Sequence, residues 1–271
     1  MHEFNIINYG QHFLIDDEVI DKFISLAEIK DKDVIEIGPG NGVITKRLCE
    51  QANHVISYEI DISLKHDLDK LKEKYNNLDI IYDNFLDREI SRCDAIISGL
   101  PYQILEPFLK KIINIEFEQV LIIIGNNYAL SNYLECFINN EIKYTNLLTK
   151  CFFFVNVYDE INPSSFYPEP KTKSSIVELK KRDKITLIEA QELYFFREII
   201  EQKDKKIKNA LINGLINFYR YRDKSITQNK AREIITRLNI DNNILESKID
   251  ILNNEDITKL YIILKNNSVH L

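Results

Sequence analysis

Two periodicities divide the chain. Between residues 34 and 179, short apolar runs with strand spacing alternate with amphipathic stretches of helical spacing; beyond Leu179 only the helical period persists. The runs 34–37, 54–58, 79–82, 94–98 and 119–124 predict five strands, and 147–157 and 174–179 predict two more, an antiparallel pair at one edge. Between them, Val19, Ile20, Phe23, Ile24 and Ala27 share one face of a helix that Asp16 or Asp17 can cap. Further helices are expected over 43–52, 63–75 with Leu64, Leu68 and Leu71 inward, 104–113 and 128–138. This βαβα alternation implies a mostly parallel sheet with right-handed crossovers, an α/β fold. Helical patterns over 189–202, 205–219, 227–238, 244–251 and 255–265 predict a small all-helical domain. The charged, apolar-poor run Lys180-Lys181-Arg182-Asp183-Lys184 marks the boundary, giving domains 1–180 and 181–271.

Composition narrows the class. In 271 residues, 45% are hydrophobic, enough for a core, yet no run approaches the roughly 18 apolar residues of a membrane span. Residues 1–5 lack the basic and apolar segments of a secretory signal, so a cytoplasmic location is expected. Cys49, Cys93, Cys136 and Cys151 form no C-x-x-C pair, and the five histidines are equally dispersed, which argues against a metal and against a disulfide framework. The net charge of −7 speaks against a nucleic-acid partner until its distribution is read. Residues 180–237 carry 15 Lys and Arg against 8 Asp and Glu, whereas residues 1–179 carry 17 against 29. A segregated basic segment suits a module that meets phosphates, and equally a solvated helical face.

The chemistry concentrates at the first predicted strand. Val34-Ile35-Glu36-Ile37 runs into Gly38-Pro39-Gly40-Asn41-Gly42 and then a helical pattern. Glycines at alternate positions let the backbone turn sharply and let a ligand approach the main chain at a helix start. An ordinary βα turn can carry the same glycines. Glu59, at the end of the second strand, stands where a parallel sheet presents a carboxylate to ribose hydroxyls, and Asp83 closes the third strand on the same edge.

The E-x-G-x-G-x-G form resembles motif I of S-adenosylmethionine-dependent methyltransferases, and three further runs specify the resemblance. Asn8-Tyr9-Gly10-Gln11-His12-Phe13-Leu14, Tyr58-Glu59-Ile60-Asp61 and the segment from Phe166-Tyr167-Pro168-Glu169-Pro170 to Lys171-Thr172-Lys173-Ser174 resemble, in order, the G-Q-x-F-L, E-x-D and F-x-P-x-P-K-V-x-S motifs of the ribosomal RNA adenine N6-dimethyltransferases and their erythromycin-resistance relatives. The resemblance covers residues 1–180 well and the helical tail loosely. It implies a Rossmann-like class I methyltransferase sheet, S-adenosylmethionine as methyl donor, and Gln11, Glu36, Gly38, Gly40, Glu59 and Asp83 around that donor. It also implies an RNA partner, small-subunit ribosomal RNA or a pre-ribosomal particle, for which the basic region 180–237 is the expected interface; no feature of the sequence demands a dimer, and a monomer is expected. Gln11 could instead cap a turn, and Asp83 a helix.

Three departures fall on the acceptor side. Where the family carries N-L-P-Y or N-L-P-F, this chain reads Gly99-Leu100-Pro101-Tyr102. The Asn oxygen of that motif and a main-chain carbonyl grip the adenine amine while the aromatic stacks on a flipped base, so Gly99 leaves the grip to the Gly99 or Leu100 carbonyl or to Ser98. Loss of one preorganised contact of this kind costs on the order of 10²–10³ in rate. The family's Q-x-E-x-A-x-R is replaced by Gly125-Asn126-Asn127-Tyr128-Ala129-Leu130-Ser131. The R-R-K-T-type stretch is softened to Gln202-Lys203-Asp204-Lys205-Lys206-Ile207-Lys208-Asn209-Ala210-Leu211, with an Asp inside, and Tyr219-Arg220-Tyr221-Arg222-Asp223-Lys224 mixes aromatics and cations further on. Three readings follow: an RNA adenine methyltransferase; a methyltransferase of the same fold with another acceptor, such as a small aromatic molecule, another nucleobase or a protein; or a non-catalytic RNA-binding or ribosome-assembly factor.

Overall fold

Strand 34–37 has apolar residues on both of its faces, which is stable only inside a sheet covered on both sides. A computed structural model, which describes residues 11–133, 137–138, 141–182 and 190–267, places it third in a seven-stranded sheet, with a strand on either side. In chain order the first part comprises β1 (Phe13–Leu14), α1 (Asp17–Ser25), β2 (Asp33–Ile37), α2 (Val43–Cys49), β3 (His54–Tyr58), α3 (Lys65–Lys74), β4 (Leu78–Ile81), β5 (Ala95–Gly99), α4 (Leu105–Ile112), β6 (Gln119–Gly125) and α5 (Asn126–Tyr133). The small pair β7 (Phe137–Ile138) and β8 (Glu141–Ile142), α6 (Tyr144–Phe152), β9 (Phe153–Ile161), β10 (Phe166–Tyr167) and β11 (Ser174–Lys181) follow. Helices α7 (Gln191–Glu201), α8 (Ile207–Arg220), α9 (Gln228–Arg237), α10 (Asn242–Glu246) and α11 (Asn254–Asn266) complete the chain.

The sheet order is β4-β3-β2-β5-β6-β11-β9, with the first five strands parallel and β11 antiparallel to β6. The chain order of β2, β3 and β4 runs outward to one side, and β5 and β6 to the other, so the topology reverses between β2 and β5. A crevice at such a reversal, beyond the carboxyl ends of the strands, is where open α/β sheets bind ligands. Every residue of β6 is buried, as is every residue of β5 except Gly99, so this half of the sheet is covered on both faces.

The chain divides into two units, Met1–Tyr133 with Phe154–Lys181, and Leu134–Phe153 with Arg182–Leu271. The second takes in a segment that the sequence pattern assigns to the sheet. Residues 147–152, expected to begin a strand, are the end of helix α6; the strand starts only at Phe153. The dense apolar run hides a helical stripe, Tyr144, Leu147, Leu148 and Cys151, all buried, that packs on α7. Arg197 of α7 lies 4.9 Å from the Phe152 ring centroid and donates to the Arg182 carbonyl at 2.9 Å. The helix expected over 128–138 ends at Tyr133, and Phe137–Ile138 pairs with Glu141–Ile142 instead.

Two stretches without a predicted strand also find one. β1 pairs antiparallel with β10, Phe13 opposite Tyr167 and Leu14 opposite Phe166. The ribbon is extended by Ile15 N donating to Ser165 O at 2.9 Å and Ser165 Oγ to Asp16 Oδ2 at 2.8 Å, with Asp16 also capping α1 as expected. Residues that open the first unit are thus stitched to residues 150 positions later. Of the entry motif, 8–10 lie outside the described residues, as does 183–184 of the expected boundary.

Candidate active site

The glycine turn is built as its spacing predicts. Gly38 and Gly40 take φ of +69° and +57°, left-handed values that cost an L-residue roughly 1–2 kcal/mol. Gly38 N donates to Tyr58 O at 2.9 Å, which holds the start of the turn to the end of β3. A Cβ on Gly38 would meet nothing within 4 Å, so main chain here borders open space. One on Gly40 would come within 3.0 Å of the Phe13 ring. The G-Q-x-F-L segment therefore lies against the glycine turn, and Gln11, half-buried, stands two residues before Phe13.

The three acidic residues do different work. Glu59 is 2% exposed, accepting from Gly40 N at 3.2 Å and from Asp61 N at 2.8 Å, so it ties the turn to the β3 end. Burial raises its pKa, against those two backbone N–H groups. Glu36 is closed off from solvent: it is 1% exposed, and Ser57 Oγ donates to its Oε2 at 2.6 Å. Its Oε1 has no hydrogen-bond partner, nor has the neighbouring Thr45 Oγ1 within bonding geometry. Burial pushes the Glu36 pKa up to about 7, with the Ser57 and Thr45 hydroxyls opposing and the Glu59 charge adding to the rise. Asp83 stands on the same edge, since Glu59 N donates to Ile81 O at 3.0 Å, and its carboxylate is engaged by Arg88 and by Asn84 N at 2.7 Å. Arg88 is five residues on, at the end of a short 3₁₀ turn over Phe85–Asp87, and no motif signals it.

The acceptor run lies on the adjacent strand. Ile37 pairs with Ser98, so Gly38 and Gly99 leave neighbouring strand ends at the same level. Gly99 is exposed, and a Cβ there would meet nothing within 4 Å. Ser98 is 1% exposed and donates to Ile37 O at 2.7 Å, which spends its hydroxyl on the β2–β5 junction. Leu100 is buried with its N–H on Ile123 O at 3.1 Å, and Pro101 is half-buried. The Tyr102 backbone opens a short 3₁₀ turn; its side chain lies outside the described ones.

In place of the Q-x-E run, Asn126 donates to Glu160 Oε1 at 2.6 Å and accepts from Ser175 Oγ at 2.7 Å, while Lys173 meets Glu160 Oε2 at 2.7 Å. These four side chains form a chain of contacts that links the start of α5 to β9 and to the start of β11. Among the described residues no group of three His, Cys, Asp or Glu side chains could hold a metal, and no helix is long and apolar enough to cross a membrane. Cys49 and Cys93 are buried, and burial pushes both thiols up to about 12.

A mostly parallel sheet with an antiparallel strand beside β6, a glycine turn bordering open space and a carboxylate tied to it define a class I S-adenosylmethionine-dependent methyltransferase. The residues fit that donor: the turn gives bare main chain at Gly38, and Glu59 and Asp83 stand at neighbouring strand ends. The model of the ribosomal RNA adenine dimethylase family matches residues 1–255, and the chain belongs to this family. A ribosomal RNA small subunit methyltransferase A of Onion yellows phytoplasma is 33% identical over 223 residues, 78% of this chain and 82% of that protein. One of Mycoplasma capricolum is 32% identical over 259 residues, 90% of this chain and 92% of that protein. Among solved structures, a dimethyladenosine transferase from Plasmodium falciparum shares the fold at TM-score 0.62 and 23% identity, covering 95% of this chain and 98% of its own. The 23S rRNA methyltransferase ErmE does so at TM-score 0.58 and 20% identity, covering 93% and 99%.

Proposed function

We propose that the chain methylates N6 of adenine in small-subunit ribosomal RNA, acting as a monomer on a pre-ribosomal particle. The observation that carries this reading is the juxtaposition of the Gly38 turn and the 99–102 run on adjacent strands β2 and β5, within a chain of the adenine dimethylase family. S-adenosylmethionine, when bound, supplies an electrophilic methyl group on a sulfonium. Gly38 and Gly40 would let its amino-acid portion lie on the backbone, Glu59 would accept from the ribose, and Asp83 would accept from the adenine amino group. Glu36 supports the turn, and Gln11 borders the donor from the ribbon. The Gly99 or Leu100 carbonyl accepts from the target amine and Tyr102 stacks on its ring, leaving positioning as the main source of rate. The first unit holds the chemistry, and the basic residues within 180–237 meet phosphates.

A second reading has one observation in its favour, the open space at Gly99, where a different acceptor would fit. Incubation with methyl-labelled donor and undermethylated small-subunit RNA, followed by digestion to nucleosides, separates the two. Label in N6-methylated adenosine is the expected result; label confined to other nucleosides or to protein would favour the second reading.

A further inference from the structure

The β1–β10 ribbon does more than tie two distant motifs together. Residues directly opposite in an antiparallel pair project to the same face of the ribbon, and successive residues to opposite faces. Leu14 and Phe166, one such pair, are buried in the main core. Phe13 and Tyr167, the other, share the opposite face, where the Phe13 ring packs against Gly40 and with Leu64 and Leu68. Phe13 is buried there and Tyr167 is 58% exposed. A large aromatic is thus held in the open on the face that meets the donor turn, by a backbone fixed at both sides. His12 Nδ1 donates to Pro168 O at 2.6 Å, so the residue after Tyr167 is pinned as well. Nothing in the core requires an aromatic at this position, because Tyr167 belongs to neither buried cluster, and Phe13, Leu68 and Leu71 cover the turn. Exposed Lys171, four residues on, adds a cation to the same segment.

We propose that Tyr167 is a stacking platform for a nucleobase of the RNA that flanks the target adenine. The inference rests on the RNA reading above. RNA is recognised largely through unstacked bases laid on aromatic side chains, and a rigidly mounted phenol ring offers that surface at little entropic cost. Its place on the ribbon also gives the substrate a contact that survives the departures at Gly99 and Gly125–Ser131. Tyr167 would act on binding of the RNA and leave donor affinity untouched, although it shares a ribbon face with Phe13.

The test compares Tyr167→Ala, Tyr167→Phe and wild type on undermethylated small-subunit RNA. Stacking on one base is worth about 1–3 kcal/mol, so Tyr167→Ala should raise the RNA KM roughly 5- to 150-fold with kcat within about threefold, and Tyr167→Phe should restore it. S-adenosylhomocysteine affinity should be equal in all three. RNA bearing 2-aminopurine beside the target should lose fluorescence on binding wild type and Tyr167→Phe but not Tyr167→Ala. A Tyr167→Ala enzyme with wild-type KM and quenching would overturn the proposal, as would a parallel loss of S-adenosylhomocysteine affinity, which would mark a structural role. A wild-type protein that transfers no label to RNA would instead overturn the RNA reading itself, whatever the variants do.

Discussion

Glu36 and Gly99 are the two residues at which chemistry and stability pull apart. Glu36 is a buried carboxyl group with one oxygen unpartnered, and burial pushes its pKa up to about 7 from an ordinary 4.5. The native state therefore holds this proton more tightly than the unfolded chain. The resulting stability is complete below about pH 4.5 and is lost as pH rises through 7. Glu36→Gln, which cannot ionise, should match wild type in urea unfolding at pH 4.5 and exceed it by about 2–3 kcal/mol at pH 8; parallel pH profiles would refute this. Gly99 has room for a longer side chain and ordinary backbone geometry. Gly99→Asn should fold normally and raise N6-adenine transfer on the order of 10²-fold, as read by single-turnover methylation, because it restores an acceptor to the amine grip.

At the scale of elements, strands read from continuous apolar runs emerged where expected, since a parallel strand buried on both faces needs little beyond its own composition. The ribbon β1–β10 was not legible, because two residues per strand carry no period and the pairing spans most of the first unit. Helix α6 was misread as strand for a related reason. Cys151-Phe152-Phe153-Phe154-Val155 is β-prone locally, and only the packing of Tyr144, Leu147, Leu148 and Cys151 on α7 decides for a helix. Leu148→Ala, at a fully buried position on that stripe, should cost about 2–5 kcal/mol in chemical denaturation, and a loss below 1 kcal/mol would contradict the packing described. Within the site, the glycines and Glu59 could be read from spacing, whereas the Arg88–Asp83 pair and the commitment of Ser98 to Ile37 could not. Both depend on which loop or strand happens to lie alongside.

For the whole molecule, the acidic total hides a basic segment whose charges are partly neutralised at home. Lys206 and Lys208 both pair with Glu246, holding its carboxyl down at about 2, and Lys230 and Arg237 pair with Glu233. Arg220 at the end of α8 and Lys224 in the turn after it are exposed and form no salt bridge with a carboxylate among the described residues, so they are candidate phosphate contacts under the proposed function. Replacing both with Ala should weaken RNA binding regardless of sequence and reduce the slope of log K against log salt by about two, measured by filter binding. The proposed function puts the donor at the Gly38 turn, so the account depends most on that turn holding S-adenosylmethionine. Calorimetric titration of S-adenosylhomocysteine into wild type and Gly38→Val tests it. A side chain there would occupy the open space and strain a positive φ, so the variant should bind at least tenfold more weakly while remaining folded. Equal affinity in the two proteins would place the donor elsewhere and contradict the account.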